Sequence, residues 1–170
     1  MQLYEKYVTE TVDEKTGRLT KIDFHIPDDF NFGFDVVDFW GKNTPDKTAL
    51  LWVGEHHEEK TFTFSDMMRL TNKTANYFRS LGIKKGDRVM LILRRHYQFW
   101  FSIVALHKIG AIVIPATDQL MKKDLVYRFN LAGVSAVVIS STGSIVDEAE
   151  KAFEQCDVKT KILVGASREG

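Results

Sequence analysis

Two short apolar runs that flank a longer one dominate the hydrophobic pattern of the chain. The short runs, within residues 86–93 and 110–115, do not alternate with polar residues, which is typical of strands buried on both faces. The run between them, residues 97–109, is long enough for a helix but shorter than the about 20 residues that span a bilayer. Strand, helix and strand in this order predict a right-handed βαβ crossover between parallel neighbours.

The residues that follow Pro115 continue this alternation of helices and strands. Their apolar positions predict helices over residues 121–131 and 145–153, and strands over residues 135–140 and 161–164. The predicted fold class is therefore α/β, with a mostly parallel sheet flanked by helices.

The crossover helix is apolar around nearly its whole circumference. A helix of this kind is expected to be covered on more than one side. We therefore expect Trp100 in the core, and we expect a further covering layer that this chain does not contain.

Residues 1–31 are mostly polar and charged, which predicts an N-terminal arm with little structure of its own. Phe30, Phe32 and Phe34 are spaced two apart and are expected to pack the end of this arm against the body. Residues 32–170 are then the α/β subdomain of an incomplete domain.

The segment between the arm and the crossover is predicted to contain a helix, a β-hairpin and a second helix. Asp35 is a candidate N-cap for the first helix. Strands over residues 48–53 and 59–64 are joined by a polar loop, which favours a hairpin. Ser65 is the predicted N-cap of the second helix, and Gly82 follows its C-terminus in a pattern typical of a Schellman motif.

Composition narrows the classes of function. The 170 residues are 44% hydrophobic and 27% charged, which predicts a folded core. Lys plus Arg and Asp plus Glu both number 23, so no basic surface indicates a nucleic-acid partner. Cys156 is the sole cysteine and excludes an intramolecular disulfide. The charged N-terminus lacks a signal-peptide pattern, so we expect a cytoplasmic protein without a membrane partner.

Ligands of open parallel sheets bind beyond the carboxyl ends of the strands. Three predicted loops lie there, over residues 94–96, 116–120 and 141–144. Arg94 and Arg95 lie at a helix N-terminus, where cations are disfavoured, so a bound anion is one interpretation. The alternative is that both side chains reach water or pair with an acidic residue.

The other polar candidates have a structural interpretation beside the functional one. The loop 141–144 is rich in hydroxyls but lacks the Lys and second Gly of a phosphate loop, which favours a linking turn. Asp118 is a candidate acid or base, although an Asx turn is the simpler role. His56 and His57 have no third ligand nearby in sequence, so no metal site is predicted.

Several motifs together resemble the AMP-forming adenylating enzymes. Residues 62–70 followed by 81–89 are similar to the first core motif of that family, and residues 106–115 are similar to the second. Residues 123–128 and the strand after them continue the match, which extends over about residues 32–165. The residues at 97–100 and the Pro-Ala-Thr at 115–117 resemble the acyl-CoA synthetase branch, from acetyl to medium chain.

The resemblance implies an enzyme that uses ATP and Mg²⁺ to activate a carboxylic acid as an acyl-adenylate, and then transfers the acyl group to coenzyme A. In that family the reacting groups lie further along a longer chain, so this chain is expected to be an inactive N-terminal fragment without catalytic or metal-binding residues. By the same resemblance, Thr117, Asp118 and Gln119 would lie near the entrance for coenzyme A and the acyl group, and Arg94 and Arg95 are possible anion contacts.

Two departures from the family pattern concern the substrate. Relatives usually have Pro, Asn or Ser near residues 94–96, and they tend to begin the helix at residue 121 with Thr-Pro-Glu where this chain has Met-Lys-Lys. A rival interpretation is a self-contained binding or interaction domain of flavodoxin-like topology.

Overall fold

The structure is a computed structural model and describes residues 2–166. It contains eight strands and five α-helices within that range. The strands are β1 (Val8–Val12), β2 (Leu19–Phe24), β3 (Thr48–Val53), β4 (Glu59–Thr63), β5 (Arg88–Ile92), β6 (Ile112–Pro115), β7 (Ala136–Ser140) and β8 (Thr160–Val164). The helices are α1 (Phe39–Asn43), α2 (Phe64–Ser80), α3 (Gln98–Ile109), α4 (Lys122–Ala132) and α5 (Ile145–Phe153).

Four parallel strands form the central sheet of the described residues, in the spatial order β6-β5-β7-β8. Helix α3 connects β5 to β6, and α4 and α5 make the next two crossovers. The α/β class and the parallel strands predicted from the apolar runs are confirmed. β5 and β7 are paired on both sides, and β7 is buried at every position.

Helices cover both faces of this sheet. Val89 and Leu91 of β5 point to one face and pack in a cluster with residues of α2 and α3. Met90 and Ile92 point to the other face and pack with residues of α4 and α5. All four side chains are at most 1% exposed. Because successive strand residues face opposite sides, one continuous apolar run supplies both halves of the core.

The predicted burial of Trp100 is wrong, because its side chain is 47% exposed. Its neighbour Phe101 is only 6% exposed and packs edge-on against Phe62 of β4, with ring centroids 5.2 Å apart. The sheet, α2 and the β3–β4 hairpin cover three sides of α3, and Trp100 lies on the side that remains. No helix of the described residues is long and apolar enough to span a membrane.

The first helix begins differently from the prediction. Asn31, rather than Asp35, is the N-cap, and its side chain accepts a hydrogen bond from the Gly33 amide at 3.0 Å. Asp35 returns a bond by accepting from the Asn31 amide at 2.7 Å. The turn that follows, Phe32–Asp38, has π-helical hydrogen bonding and continues directly into α1.

Helix α2 begins at Phe64, so its N-cap lies two residues before the predicted one. Thr63 is its N-cap instead of Ser65, and the Thr63 hydroxyl accepts from the Asp66 amide at 3.1 Å. The Asp66 carboxylate accepts in turn from the Thr63 amide at 3.2 Å, which completes a capping box. At the other end, Gly82 has a φ of +84°, and the Ile83 amide reaches back to the α2 backbone as predicted.

The N-terminal arm is more ordered than its composition predicted. A 3-10 turn, Leu3–Lys6, leads into the antiparallel β1–β2 hairpin, so the expectation of little structure is wrong. The Phe30 ring packs edge-on against Tyr7 of the arm itself, with ring centroids 5.1 Å apart. Phe32 contacts His107 of α3 edge-on at 6.0 Å, so the predicted ring contact with the body is made by Phe32. Phe32 and Phe34 stay 45% and 50% exposed.

A buried ion pair links the π-helical turn to α3. The Lys108 ammonium lies 2.6 Å from a carboxylate oxygen of Asp38, and the two side chains are 1% and 8% exposed. Asn72 of α2 accepts a second bond from Lys108 at 2.7 Å. Gly33 packs so closely over the Lys108 stem that an added Cβ would lie 2.4 Å from its Cγ. No local pattern in the sequence marks this cluster, because Asp38 and Asn72 lie 70 and 36 residues from Lys108.

Candidate functional site

Three loops leave the carboxyl ends of neighbouring strands. Residues 93–97 follow β5, residues 116–121 follow β6, and residues 141–144 follow β7. We call these three loops the strand-end edge. The order of the strands reverses direction between β5 and β7, and the crevice at such a switch point is where open α/β sheets bind ligands. The topology therefore favours the space between loops 93–97 and 141–144.

An ion pair joins two loops of the strand-end edge. The Arg94 Nε lies 3.6 Å from an Asp118 carboxylate oxygen, with the side chains 49% and 21% exposed. Of the two sequence interpretations for Arg94, the structure therefore shows pairing with an acidic residue. A pair at this exposure contributes at most about 1 kcal/mol to stability, so Arg94 can exchange Asp118 for another anion at low cost.

The backbone of Arg95 has a left-handed conformation, and a hydrogen bond from the hairpin holds it in place. Its φ of +46° is in the left-handed region, which a non-glycine residue adopts at a cost of about 1 kcal/mol. The Arg95 carbonyl accepts a hydrogen bond from Trp52 Nε1 of β3 at 2.5 Å. The hairpin thus fixes the bend of loop 93–97 while the Arg95 side chain remains exposed.

The same hairpin supports the start of α3. Lys60 of β4 places its ammonium 4.5 Å from the centroid of the Tyr97 ring and 3.3 Å from the Tyr97 hydroxyl. Trp52 packs edge-on against the same ring, with centroids 5.4 Å apart. Sequence reasoning missed these supports, because they join residues that lie more than thirty positions apart.

The turn after β6 is closed by Thr117. Its hydroxyl accepts from the Gln119 amide at 3.3 Å and lies 3.5 Å from an Asp118 carboxylate oxygen. The hydrogen bond that closes the turn is therefore accepted by the Thr117 hydroxyl, and not by the Asp118 side chain as the Asx-turn interpretation expected. Thr117 and Gln119 are exposed, so both side chains are accessible from solvent at this edge.

Glu148 of α5 caps the N-terminus of α4. Its carboxylate accepts from the Lys122 amide at 2.8 Å and from the Lys151 ammonium at 2.7 Å. Both hydrogen bonds hold the pKa of the Glu148 carboxyl below its usual value, and the bond from Lys151 has the larger effect of the two. The negative charge compensates Lys122 and Lys123 at the start of α4, where cations are unfavourable for the helix dipole.

The loop after β7 is a short turn with hydroxyl groups on both sides. Gly143 has a φ of +76°, and the Ser140 and Thr142 hydroxyls lie 3.4 Å apart. The Ser141 amide donates to the Val164 carbonyl, which ties the loop to β8. This geometry fits the linking turn that the sequence favours.

The strand-end edge offers binding groups rather than a catalytic pair. Arg94 and Arg95 supply positive charge, and the loops add hydroxyls and backbone amides, which suits an anionic ligand. Within residues 2–166 no three His, Cys, Asp or Glu side chains are grouped as a metal site. His56 and His57, in the loop between β3 and β4, belong to no such group.

Comparison with known proteins identifies the family. A family model described as AMP-binding enzyme matches residues 37–169. Over 157 residues the chain is 37% identical to "Acyl-coenzyme A synthetase ACSM1, mitochondrial" of Mus musculus, covering 87% of this chain and 27% of that protein. It is 36% identical over 153 residues to "Acyl-coenzyme A synthetase ACSM5, mitochondrial" of Rattus norvegicus, covering 85% and 26%.

Solved structures share the fold. A long-chain-fatty-acid-CoA ligase from Archaeoglobus fulgidus superimposes with a TM-score of 0.74 at 19% identity, covering 85% of this chain and 29% of that one. The N-terminal domain of FACL13 from Mycobacterium tuberculosis gives a TM-score of 0.68 at 22% identity, covering 79% and 33%. The chain spans about a quarter of the length of the curated relatives it matches. Because the family model matches well over half of its residues, the chain belongs to the AMP-binding enzyme family.

Proposed function

We propose that the protein containing this chain is an AMP-forming acyl-CoA synthetase for a short- or medium-chain carboxylic acid. The observation that carries the proposal is the family match over residues 37–169, together with relatives that are named acyl-coenzyme A synthetases. The parallel sheet with its strand-end edge is consistent with that assignment.

The proposed reaction has two steps. A carboxylate oxygen of the acid attacks the α-phosphorus of ATP, and the bond to pyrophosphate breaks, which leaves an acyl-adenylate. The thiol of coenzyme A then attacks the acyl carbon, loses its proton, and displaces AMP. Both steps require stabilisation of negative charge on phosphate oxygens, which fixed cationic groups and backbone amides can supply.

Within that reaction, we assign this chain a positioning role. Its sheet and helices hold the strand-end edge, and the reacting groups belong to other parts of the protein. We assign Thr117, Asp118 and Gln119 to the entrance for coenzyme A and the acyl group, and Arg94 and Arg95 to contacts with an anionic group of a substrate. Four of these residues are exposed at one edge of the sheet and Asp118 is partly exposed beside them, which supports this assignment.

Mg²⁺ is expected to accompany ATP, but the described residues do not fit a magnesium site. Mg²⁺ prefers oxygen ligands in octahedral geometry, and within residues 2–166 no group of three candidate ligands lies together. We therefore assign no residue of this chain to the metal and derive no step through it.

A self-contained binding domain of flavodoxin-like topology is not favoured, because the family match extends across most of the chain. The cytoplasmic location expected from the sequence stays a prediction, and the relatives named above are described as mitochondrial.

The test is carboxylate-dependent exchange of pyrophosphate into ATP by the full-length product of the reading frame that contains this chain. Exchange with at least one acid from acetate to decanoate is expected, followed by thioester formation when coenzyme A is added. The 170-residue chain alone should show no exchange. Absence of exchange with every acid of the series would refute the proposed function.

A further inference from the structure

The β1–β2 hairpin has an outer edge that no strand of the described residues covers. It is a separate two-stranded sheet, and an isolated two-stranded hairpin is only marginally stable in water. Ile22 and Phe24 of β2 are 44% and 70% exposed. Unpaired strand edges with exposed apolar side chains pair readily with another chain.

The direction of the β2 backbone groups follows from one hydrogen bond. The His25 amide donates to the Tyr7 carbonyl of the facing chain at 2.8 Å. Backbone groups alternate in direction along an antiparallel strand, so Lys21 and Asp23 also face β1. Ile22 and Phe24 therefore direct their N–H and C=O groups outward, to the uncovered edge.

We propose that a second copy of this chain pairs antiparallel along the outer edge of β2, with Ile22 opposite Ile22 of the second copy. The outward amide and carbonyl of each Ile22 then bond to those of the other copy. In this register Lys21 faces Asp23 of the second copy, and Asp23 faces Lys21 of the second copy. The strand is therefore self-complementary in charge around a two-fold axis, as an isologous interface requires.

Neighbouring registers lack this complementarity. A two-fold axis at Lys21 opposes two lysines, and an axis at Asp23 opposes two aspartates, which is unfavourable for directly facing residues. The outer edge of β1 offers no such complementarity, because Glu10 is the one charged residue of that strand and two Glu10 side chains face each other when the axis passes through it. Only the register centred on Ile22 places opposite charges together.

Lys21 and Asp23 can change their ion-pair partners when the second copy binds. Lys21 and Asp23 form an ion pair at 2.8 Å within the hairpin, with the side chains 66% and 39% exposed. An exposed pair of this kind contributes little to folding, so changing its partners costs little. On the opposite face of β2, the Ile22 side chains of two copies meet and remove apolar surface from water.

The test uses charge reversal in the full-length protein, with sedimentation velocity over a wide range of concentration. Wild type is expected to show a monomer–dimer equilibrium. Lys21→Asp and Asp23→Lys should each raise the dimer dissociation constant by about tenfold, because each replaces two attractive pairs by two repulsive ones. Lys73→Asp, an equal change of charge on the exposed side of α2, should leave it unchanged.

Mixing the two variants gives the decisive measurement. In a heterodimer of Lys21→Asp with Asp23→Lys, carboxylates of one chain face ammonium groups of the other, so the equimolar mixture should dimerise more tightly than either variant alone. A wild type that stays monomeric, as expected if the rest of the protein or another partner covers the hairpin, would overturn the proposal. A mixture no tighter than its components would also overturn it.

Discussion

Lys108 and Asp38 show how a single buried charge is accommodated beside an apolar helix. Burial lowers the pKa of Lys108, and the hydrogen bond that Lys108 donates to Asp38 acts in the opposite direction. Asn72 provides a further oxygen for the ammonium. The charge is tolerated because it is paired and hydrogen-bonded, and the pair fixes α3 against the π-helical turn.

Asp38→Ala should be strongly destabilising. It leaves the Lys108 ammonium buried without its carboxylate, for which we expect a loss of about 3–5 kcal/mol in the free energy of unfolding, measured in urea. The double variant Asp38→Ala, Lys108→Met should be more stable than Asp38→Ala alone, since the unpaired charge is gone. Equal stability of the two variants would contradict the pairing.

Trp100 and Phe101 are adjacent residues with opposite environments. Phe101→Ala should cost about 3–5 kcal/mol, because it empties a packed aromatic cluster. Trp100→Ala should cost only about 1 kcal/mol, since nearly half of the indole is already exposed. Urea unfolding of the two variants in parallel checks the difference, and a larger loss for Trp100→Ala would contradict the observed orientation of α3.

The sequence could not distinguish these two neighbours. A helix that is apolar all round gives no polar stripe from which to derive its exposed side. The partner of Lys108 lies 70 residues away in sequence, so no local pattern marks the ion pair. Both features depend on tertiary packing alone.

At the scale of elements, α2 illustrates a boundary set by side-chain chemistry. Both of its ends have strong local signals, the capping box at Thr63 and the glycine at residue 82. Hydrogen bonds from the Thr63 amide and from Arg69 lower the pKa of Asp66, and the bond from Thr63 has the larger effect. The folded state therefore favours the ionised carboxylate.

The contribution of Asp66 should depend on pH. Because its folded pKa lies below the unfolded value, which is about 3.9, the stabilisation is complete above that value and disappears as the pH falls through the folded pKa. The difference in free energy of unfolding between wild type and Asp66→Asn should be constant near neutral pH and shrink below about pH 4. The exposed variant Asp46→Asn is the control, and a difference that does not change with pH would contradict the capping role.

The β1–β2 hairpin shows what element prediction missed. Its strands are exposed on both faces, so they lack the alternation between buried and solvated positions that identifies a strand. Their pairing depends on backbone hydrogen bonds and on the turn between Asp13 and Arg18, where Gly17 has a φ of +66°. Polar composition alone therefore led to the expectation of an unstructured arm.

For the whole molecule, the order of the strands determines which loops meet. Apolar runs predicted that the strands exist and are parallel, but not that β5 lies between β6 and β7. The predicted crossover already makes β5 and β6 neighbours and so brings the loops of Arg94 and Asp118 together, but no spacing in the sequence indicates that these two side chains pair. The candidate loops were thus predicted from the rule for strand ends, while their contacts required the assembled sheet.

If loop 116–121 lies at the coenzyme A entrance, a substitution there should impair thioester formation and leave adenylate formation unchanged. In the full-length enzyme, Asp118→Ala should raise the KM for coenzyme A by about tenfold, the effect expected when about 1.4 kcal/mol of binding energy is lost. Pyrophosphate exchange does not involve coenzyme A and should stay close to wild type. Thr11→Ala, in the N-terminal hairpin, is the control.

If Asp118→Ala lowers the rates of pyrophosphate exchange and of thioester formation equally, loop 116–121 does not lie at the coenzyme A entrance. This result would indicate instead that breaking the ion pair with Arg94 disturbs the whole edge. Asp118→Glu then distinguishes the two explanations, because it keeps a carboxylate that can pair with Arg94 and should restore both steps if the ion pair alone matters.

The cap that Glu148 places on α4 has a consequence for biosynthesis. A ribosome that has reached residue 147 has already produced all of α4, yet the carboxylate that receives the Lys122 amide does not exist. The first turn of α4 has its own cap from Asp124, but the bond that Glu148 accepts from the Lys122 amide can form only after residue 148 has been added. The last hydrogen bond at the end of loop 116–121 thus depends on a residue that is translated after the whole of α4.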